Sequence, residues 1–132
     1  MPGVHSPVVS ADPEKAASIA SIAVIAALAS ERAPLDTLLM AAPKPPIRVY
    51  QCGVGRERAH DAANAALSAG ASALVSWGVA GALVPALSPG TILLPEQVLT
   101  NDGEELATDS RWRMEVCRAL QPMFIVPGGR LV

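Results

Sequence analysis

Two apolar runs in this chain each end in a pair of closely spaced glycines. One is Ile47 to Cys52 followed by Gly53-Val54-Gly55, and the other is Ala73 to Trp77 followed by Gly78-Val79-Ala80-Gly81. A parallel strand that stops in such a turn leaves backbone N–H groups open, where a ligand can approach without meeting a Cβ. The two turns lie about 25 residues apart, the spacing of consecutive strands joined by a helix, and so fall on the same carboxyl edge of one sheet. That edge is where an α/β chain of this kind would do its chemistry.

The rest of the pattern supports an α/β reading. Ile19 to Leu28 is a continuous Ile/Val/Ala run, expected to be a strand buried on both faces. Glu31 to Ala41 places Leu35, Leu38 and Leu39 at helical spacing and is stopped by Pro43-Lys44-Pro45-Pro46. Glu57 to Ala69 reads as a helix with Ala59, Ala62, Ala63, Ala66 and Leu67 on one face, ended by Gly70. Gly90 to Pro95 reads as a further strand, Asn101-Asp102-Gly103 as a turn, and Asp109 as the cap of a helix through Leu120. Met123 to Val126 and Arg130 to Val132 read as strand around a Pro-Gly-Gly turn. Residues 1–17 carry Pro2, Pro7 and Pro13 with no apolar period and are expected to be a flexible leader. Residues 18–132 are expected to form the amino-terminal part of a larger α/β domain with a mixed, mostly parallel sheet flanked by helices.

At 132 residues the chain has room for one domain, and its composition narrows the partners. Its net charge is −2 and only 3% of residues are aromatic, which argues against a nucleic-acid backbone or stacked bases as ligand. The longest apolar stretch, Ile19 to Ala29, is too short to span a bilayer, so a cytoplasmic protein without a membrane span is expected. Cys52 and Cys117 read as buried reduced thiols, and His5 and His60 as surface histidines. No metal-ligand spacing occurs, and no cofactor is expected. A dinucleotide site is rejected because the third glycine of Gly-x-Gly-x-x-Gly would fall at Arg58, and no acidic residue stands about 20 residues further on.

Four motifs in order resemble the purine nucleoside phosphorylase and nucleosidase superfamily. They are the Ile/Val strand running into Ala27-Leu28-Ala29-Ser30-Glu31, then Cys52-Gly53-Val54-Gly55-Arg56, then Val75-Ser76-Trp77-Gly78-Val79-Ala80-Gly81, then Ser88-Pro89-Gly90-Thr91. The likeness is nearest to the methylthioadenosine/S-adenosylhomocysteine nucleosidase branch. The Trp-Gly-Val-Ala-Gly wording and Thr108-Asp109-Ser110-Arg111-Trp112 are similar to hopanoid-associated phosphorylases. The resemblance covers about Ile19 to Val132.

The resemblance implies N-glycosidic cleavage of a purine nucleoside, a 5′-substituted adenosine in particular. It implies that Glu31 handles the attacking water, although by residue chemistry alone Glu31 is a first-turn glutamate favoured by the helix dipole. It further implies that Gly78, Val79, Ala80 and Gly81 pass beside the sugar and base, and that Gly53, Gly55 and Arg56 lie near the anion or water. Phosphorolytic relatives place an arginine where this chain has Ser76, which favours water over phosphate as nucleophile. The family's ribose-gripping glutamate and leaving-group aspartate have no match here, and Asp102 and Asp109 do not stand in their motif. A second expectation is therefore a non-catalytic homologue or assembly partner. A homo-oligomer is expected under either.

Overall fold

The computed structural model describes residues 20–41, 44–121, 125–126 and 128–132, and the expected leader and His5 lie outside them. The chain forms two compact units, one reaching to Ala80 and one from Gly81 to Val132.

The first unit is a three-stranded parallel sheet with two helices. It runs β1 (Ile22–Ala26), α1 (Ala29–Leu39), β2 (Ile47–Gln51), α2 (Arg56–Ser68) and β3 (Ala73–Trp77), with strand order β2-β1-β3. Ile22 aligns with Ile47 on one side and with Ala73 on the other, so the three strands end level at Ala26, Gln51 and Trp77. The connection from β1 to β2 crosses the sheet one way and that from β2 to β3 the other. Right-handed crossovers then put α1 and α2 on opposite faces. Ala23 and Val24, neighbours that point to opposite faces, are accordingly both buried, together with Ala26 and with Ala66 of α2. Three of these four core residues are alanine, which lets a helix backbone approach the sheet closely.

Three expectations change in detail. β1 is shorter than the apolar run because Ala27 leaves the ladder. Its N–H goes to the Glu31 carboxylate and its carbonyl accepts from Gly53 N–H. Helix α1 starts two residues earlier than its apolar spacing suggests, because Glu31 caps it from inside, and it contains Pro34. On α2 the inward stripe is Ala62, Ala63 and Ala66, while Ala59 and Leu67 are exposed at its margins. Gly70 ends the helix at φ +93°, as its position suggests.

The second unit holds β4 (Ile92–Leu93), β5 (Gln97–Leu99), β6 (Glu105–Ala107), α3 (Ser110–Leu120), β7 (Ile125–Val126) and β8 (Arg130–Leu131). β4 and β7 pair in parallel, and β5 pairs antiparallel with β6 and parallel with β8. The expected turn at Asn101-Asp102-Gly103 closes the β5–β6 hairpin, with Gly103 at φ +82° and its N–H on the Thr100 carbonyl. The strands on either side of that turn are not legible from three-residue segments. Asp109 caps α3, its Oδ1 accepting from Trp112 N–H at 2.8 Å. Part of the expected strand Met123 to Val126 lies outside the described residues.

Candidate functional site

At the carboxyl ends of the strands, the loop after β2 bonds to Ala27 through Gly53 N–H, and the loop after β3 bonds to Glu31 through Val79 N–H. The order β2-β1-β3 has its switch point between β1 and β3, the crevice where open α/β sheets take ligands. Glu31 stands there, at the third position of α1. Leu28, at the N-cap, has no side-chain acceptor, so Glu31 reaches back and Oε2 accepts from Leu28 N–H at 3.0 Å and Ala27 N–H at 3.1 Å. The other oxygen, Oε1, accepts from Val79 N–H at 3.2 Å, which ties the start of α1 to the end of β3. The Leu28 amide most, then that of Val79, hold the Glu31 carboxyl below the usual carboxylate range; desolvation opposes them, and the Ala27 amide adds a smaller lowering. Glu31 is therefore more than a solvated first-turn glutamate. It is an ionised carboxylate fixed by three amides from two loops.

Gly78 is required by that carboxylate. A Cβ at this position would lie 2.8 Å from Glu31 Oε1 and 3.2 Å from Cδ. The glycine expected to admit a ligand thus admits Glu31 first. Trp77 donates its indole Nε1–H to the Glu31 carbonyl at 2.9 Å, a role that nothing local in the sequence signals. Val79 and Ala80 follow, both exposed. Gly81 belongs to the second unit, and a Cβ there would meet nothing within 4 Å.

On the other side of β1, Gly53 N–H donates to the Ala27 carbonyl at 2.9 Å. Gly53 has φ +81° and Gly55 has φ +123°, so both positions favour glycine. Arg56 opens α2. The residue that comes over the glycine loop, however, is Arg58, whose Nη1 would lie 2.7 Å from a Cβ on Gly53. A long cationic side chain in the first turn of a helix, reaching back over the preceding loop, is the signal that could have singled it out.

His60 is exposed on α2 beside Asn64. Cys52 and Cys117 are free thiols, half-buried rather than buried, and the Cys52 thiol lies 3.1 Å from the Gly53 carbonyl. Among the described residues no group of three or more His, Cys, Asp or Glu could hold a metal ion, and no described helix is long and apolar enough to cross a membrane. A depression at the opposite end of the sheet is lined by Ser21, Pro46, Arg48, Tyr50, Ala66 and Gly70, among others. It lies at the strand starts, away from Glu31, and no carboxylate lines it among the described residues.

No curated protein and no solved structure matches the chain. A family model described as the phosphorylase superfamily matches residues 8–122, which takes in the Glu31 turn, both glycine loops and α3. By that match, over most of its length, the chain belongs to the phosphorylase superfamily, the nucleoside phosphorylases and nucleosidases.

Proposed function

We propose that the edge around Glu31 cleaves the N-glycosidic bond of a purine nucleoside, a 5′-substituted adenosine, with water as the nucleophile. One observation carries this reading: an ionised carboxylate fixed by the amides of Ala27, Leu28 and Val79 at the switch point of the sheet. Breaking a C–N glycosidic bond builds positive charge on the sugar, and a fixed negative charge beneath the ring stabilises it. A carboxylate has about four acceptor positions and three are filled, which leaves one on Oε1 to orient a water. Its lowered pKa keeps it charged beneath the ring, and it can still take the proton of the attacking water, which turns strongly acidic as it bonds to the cationic carbon.

In this reading Gly78, Val79, Ala80 and Gly81 border the sugar and base, and Gly53, Gly55 and Arg56 border the water. Ser76 supports water over phosphate, since a hydroxyl cannot form the paired charge-assisted bonds that an arginine gives a phosphate. The closeness to hopanoid-associated members rests on the Trp-Gly-Val-Ala-Gly wording. One observation favours a second reading, phosphorolysis. Arg58 lies over Gly53, where its guanidinium could take the phosphate that Ser76 does not.

The test is adenine release from 5′-methylthioadenosine and from adenosine, with and without phosphate, by the native chain, Glu31→Gln and Arg58→Ala. Hydrolysis predicts release without phosphate that falls by about 10²–10⁴-fold in Glu31→Gln. Phosphorolysis predicts release only with phosphate, and a raised phosphate KM in Arg58→Ala. A folded native protein that releases no adenine under either condition rules out both and leaves the assembly-partner reading.

A further inference from the structure

Helix α1 is short of one backbone hydrogen bond in the turn that carries Glu31. Pro34 has no N–H to give to the carbonyl of Ser30 four residues earlier, and its ring crowds that carbonyl. The next carbonyl along, that of Glu31, takes a donor from outside the helix: Trp77 Nε1–H at 2.9 Å, from 46 residues away. Two residues after Trp77, Val79 gives its amide to Glu31 Oε1. Residues 77 and 79 thus hold Glu31 at both ends, backbone and carboxylate, and Gly78 between them leaves the carboxylate its room.

Burial alone does not explain a tryptophan here. The residue is 45% exposed, so much of its apolar surface stays in water, where a smaller side chain would end the strand at less cost. What the indole adds is an N–H donor on a rigid ring with two side-chain torsions, so the donor is aimed at little entropic cost.

We propose that Trp77 is a positioning residue for Glu31: its indole N–H pins the weakened first turn of α1 to the end of β3 and so keeps the Glu31 carboxylate on the Val79 amide. The inference rests on the reading of Glu31 as the reacting-site carboxylate and adds the residue that aims it.

Three variants test it. Trp77→Phe keeps an aromatic ring and removes the donor. Trp77→His keeps a donor, because imidazole Nε2 occupies the same place in its five-membered ring as indole Nε1. Pro34→Ala in the Trp77→Phe background returns the missing helical donor. The first readout is the Val79 amide signal in a proton–nitrogen correlation spectrum of the folded protein without substrate. In Trp77→Phe this proton is expected to move upfield and exchange faster with solvent, with recovery in Trp77→His and partial recovery in the double variant. The second readout is adenine release, where Trp77→Phe should lower kcat on the order of 10-fold while KM changes by less than about 2-fold.

A native Val79 signal in Trp77→Phe overturns the proposal, as does equal displacement in the Phe and His variants, which would make ring size the cause. If Trp77→Phe does not fold, Trp77→His decides alone: a native Val79 signal supports the donor role and a displaced one overturns it. Absence of activity in the native chain would count against the nucleosidase reading and leave the Val79 result to be judged by itself.

Discussion

The Glu31 carboxylate fills the space beside Gly78, so that a Cβ on Gly78 would stand 2.8 Å from Oε1. A flexible carboxylate could swing away from such a clash at small cost. This one is held by three amides, and moving it breaks the bond to Val79. Gly78→Ala is therefore expected to fold, with native circular dichroism and a slightly lowered melting temperature, and to lose adenine release by about 10²-fold through misplacement of the carboxylate. Unchanged turnover in a folded Gly78→Ala would sink the assignment of Glu31.

The Glu31 carboxyl carries a stability contribution with a definite pH dependence. Its folded-state pKa lies below the ordinary value because the Leu28, Val79 and Ala27 amides favour the charged form. A depressed carboxylate stabilises the fold fully above its unfolded-state pKa, and that contribution fades as pH falls through the folded-state pKa. Denaturant unfolding of native protein and Glu31→Gln, followed from neutral to about pH 3, should show a constant difference near neutrality that narrows only on acidification. The acid limb of adenine release should likewise lie below the usual carboxylate range.

Gly53 and Gly70 separate backbone strain from side-chain clash. Both have positive φ, but a Cβ at Gly70 meets open space whereas one at Gly53 meets Arg58 Nη1 at 2.7 Å. Gly70→Ala should cost about 1 kcal/mol, the left-handed penalty alone. Gly53→Ala should cost somewhat more in denaturant unfolding, by a small margin because a flexible arginine can move aside at little cost. It should also displace Arg58, and pairing it with Arg58→Ala should bring its cost back to the Gly70→Ala level. Equal costs with and without Arg58 would mean that the arginine does not rest on the loop.

In the second unit, the Asp109 side chain supplies the missing acceptor at the start of α3. Asp109→Ala should destabilise the protein by about 1 kcal/mol. Asp109→Asn, which keeps an acceptor, should recover most of that loss in the same denaturant titration.

Much of the framework is legible in the order of residues. The Ile/Val/Ala run of β1, the boundaries of β3, the Gly70 stop and the Asp109 cap all follow from local chemistry that acts within a few residues. β5 and β6 escape notice because three-residue strands such as Gln97-Val98-Leu99 are too short for a period of two to stand out. The early start of α1 escapes for a different reason. Its capping residue is a glutamate inside the helix, while the N-cap itself is Leu28, a residue type with no capping signature.

The class of fold, the two glycine loops on one edge, the family resemblance and the choice of Glu31 as the candidate carboxylate are readable from residue order. Those features depend on apolar period, turn chemistry and motif order, which are written along the chain. That Gly78 makes room for Glu31, that Trp77 holds its backbone, and that Arg58 lies over Gly53 emerges only once the chain is folded. Such contacts depend on β1, β2 and β3 ending level, with Ala26, Gln51 and Trp77 in register. A parallel register joins residues tens of positions apart, and no local pattern at either position specifies the other.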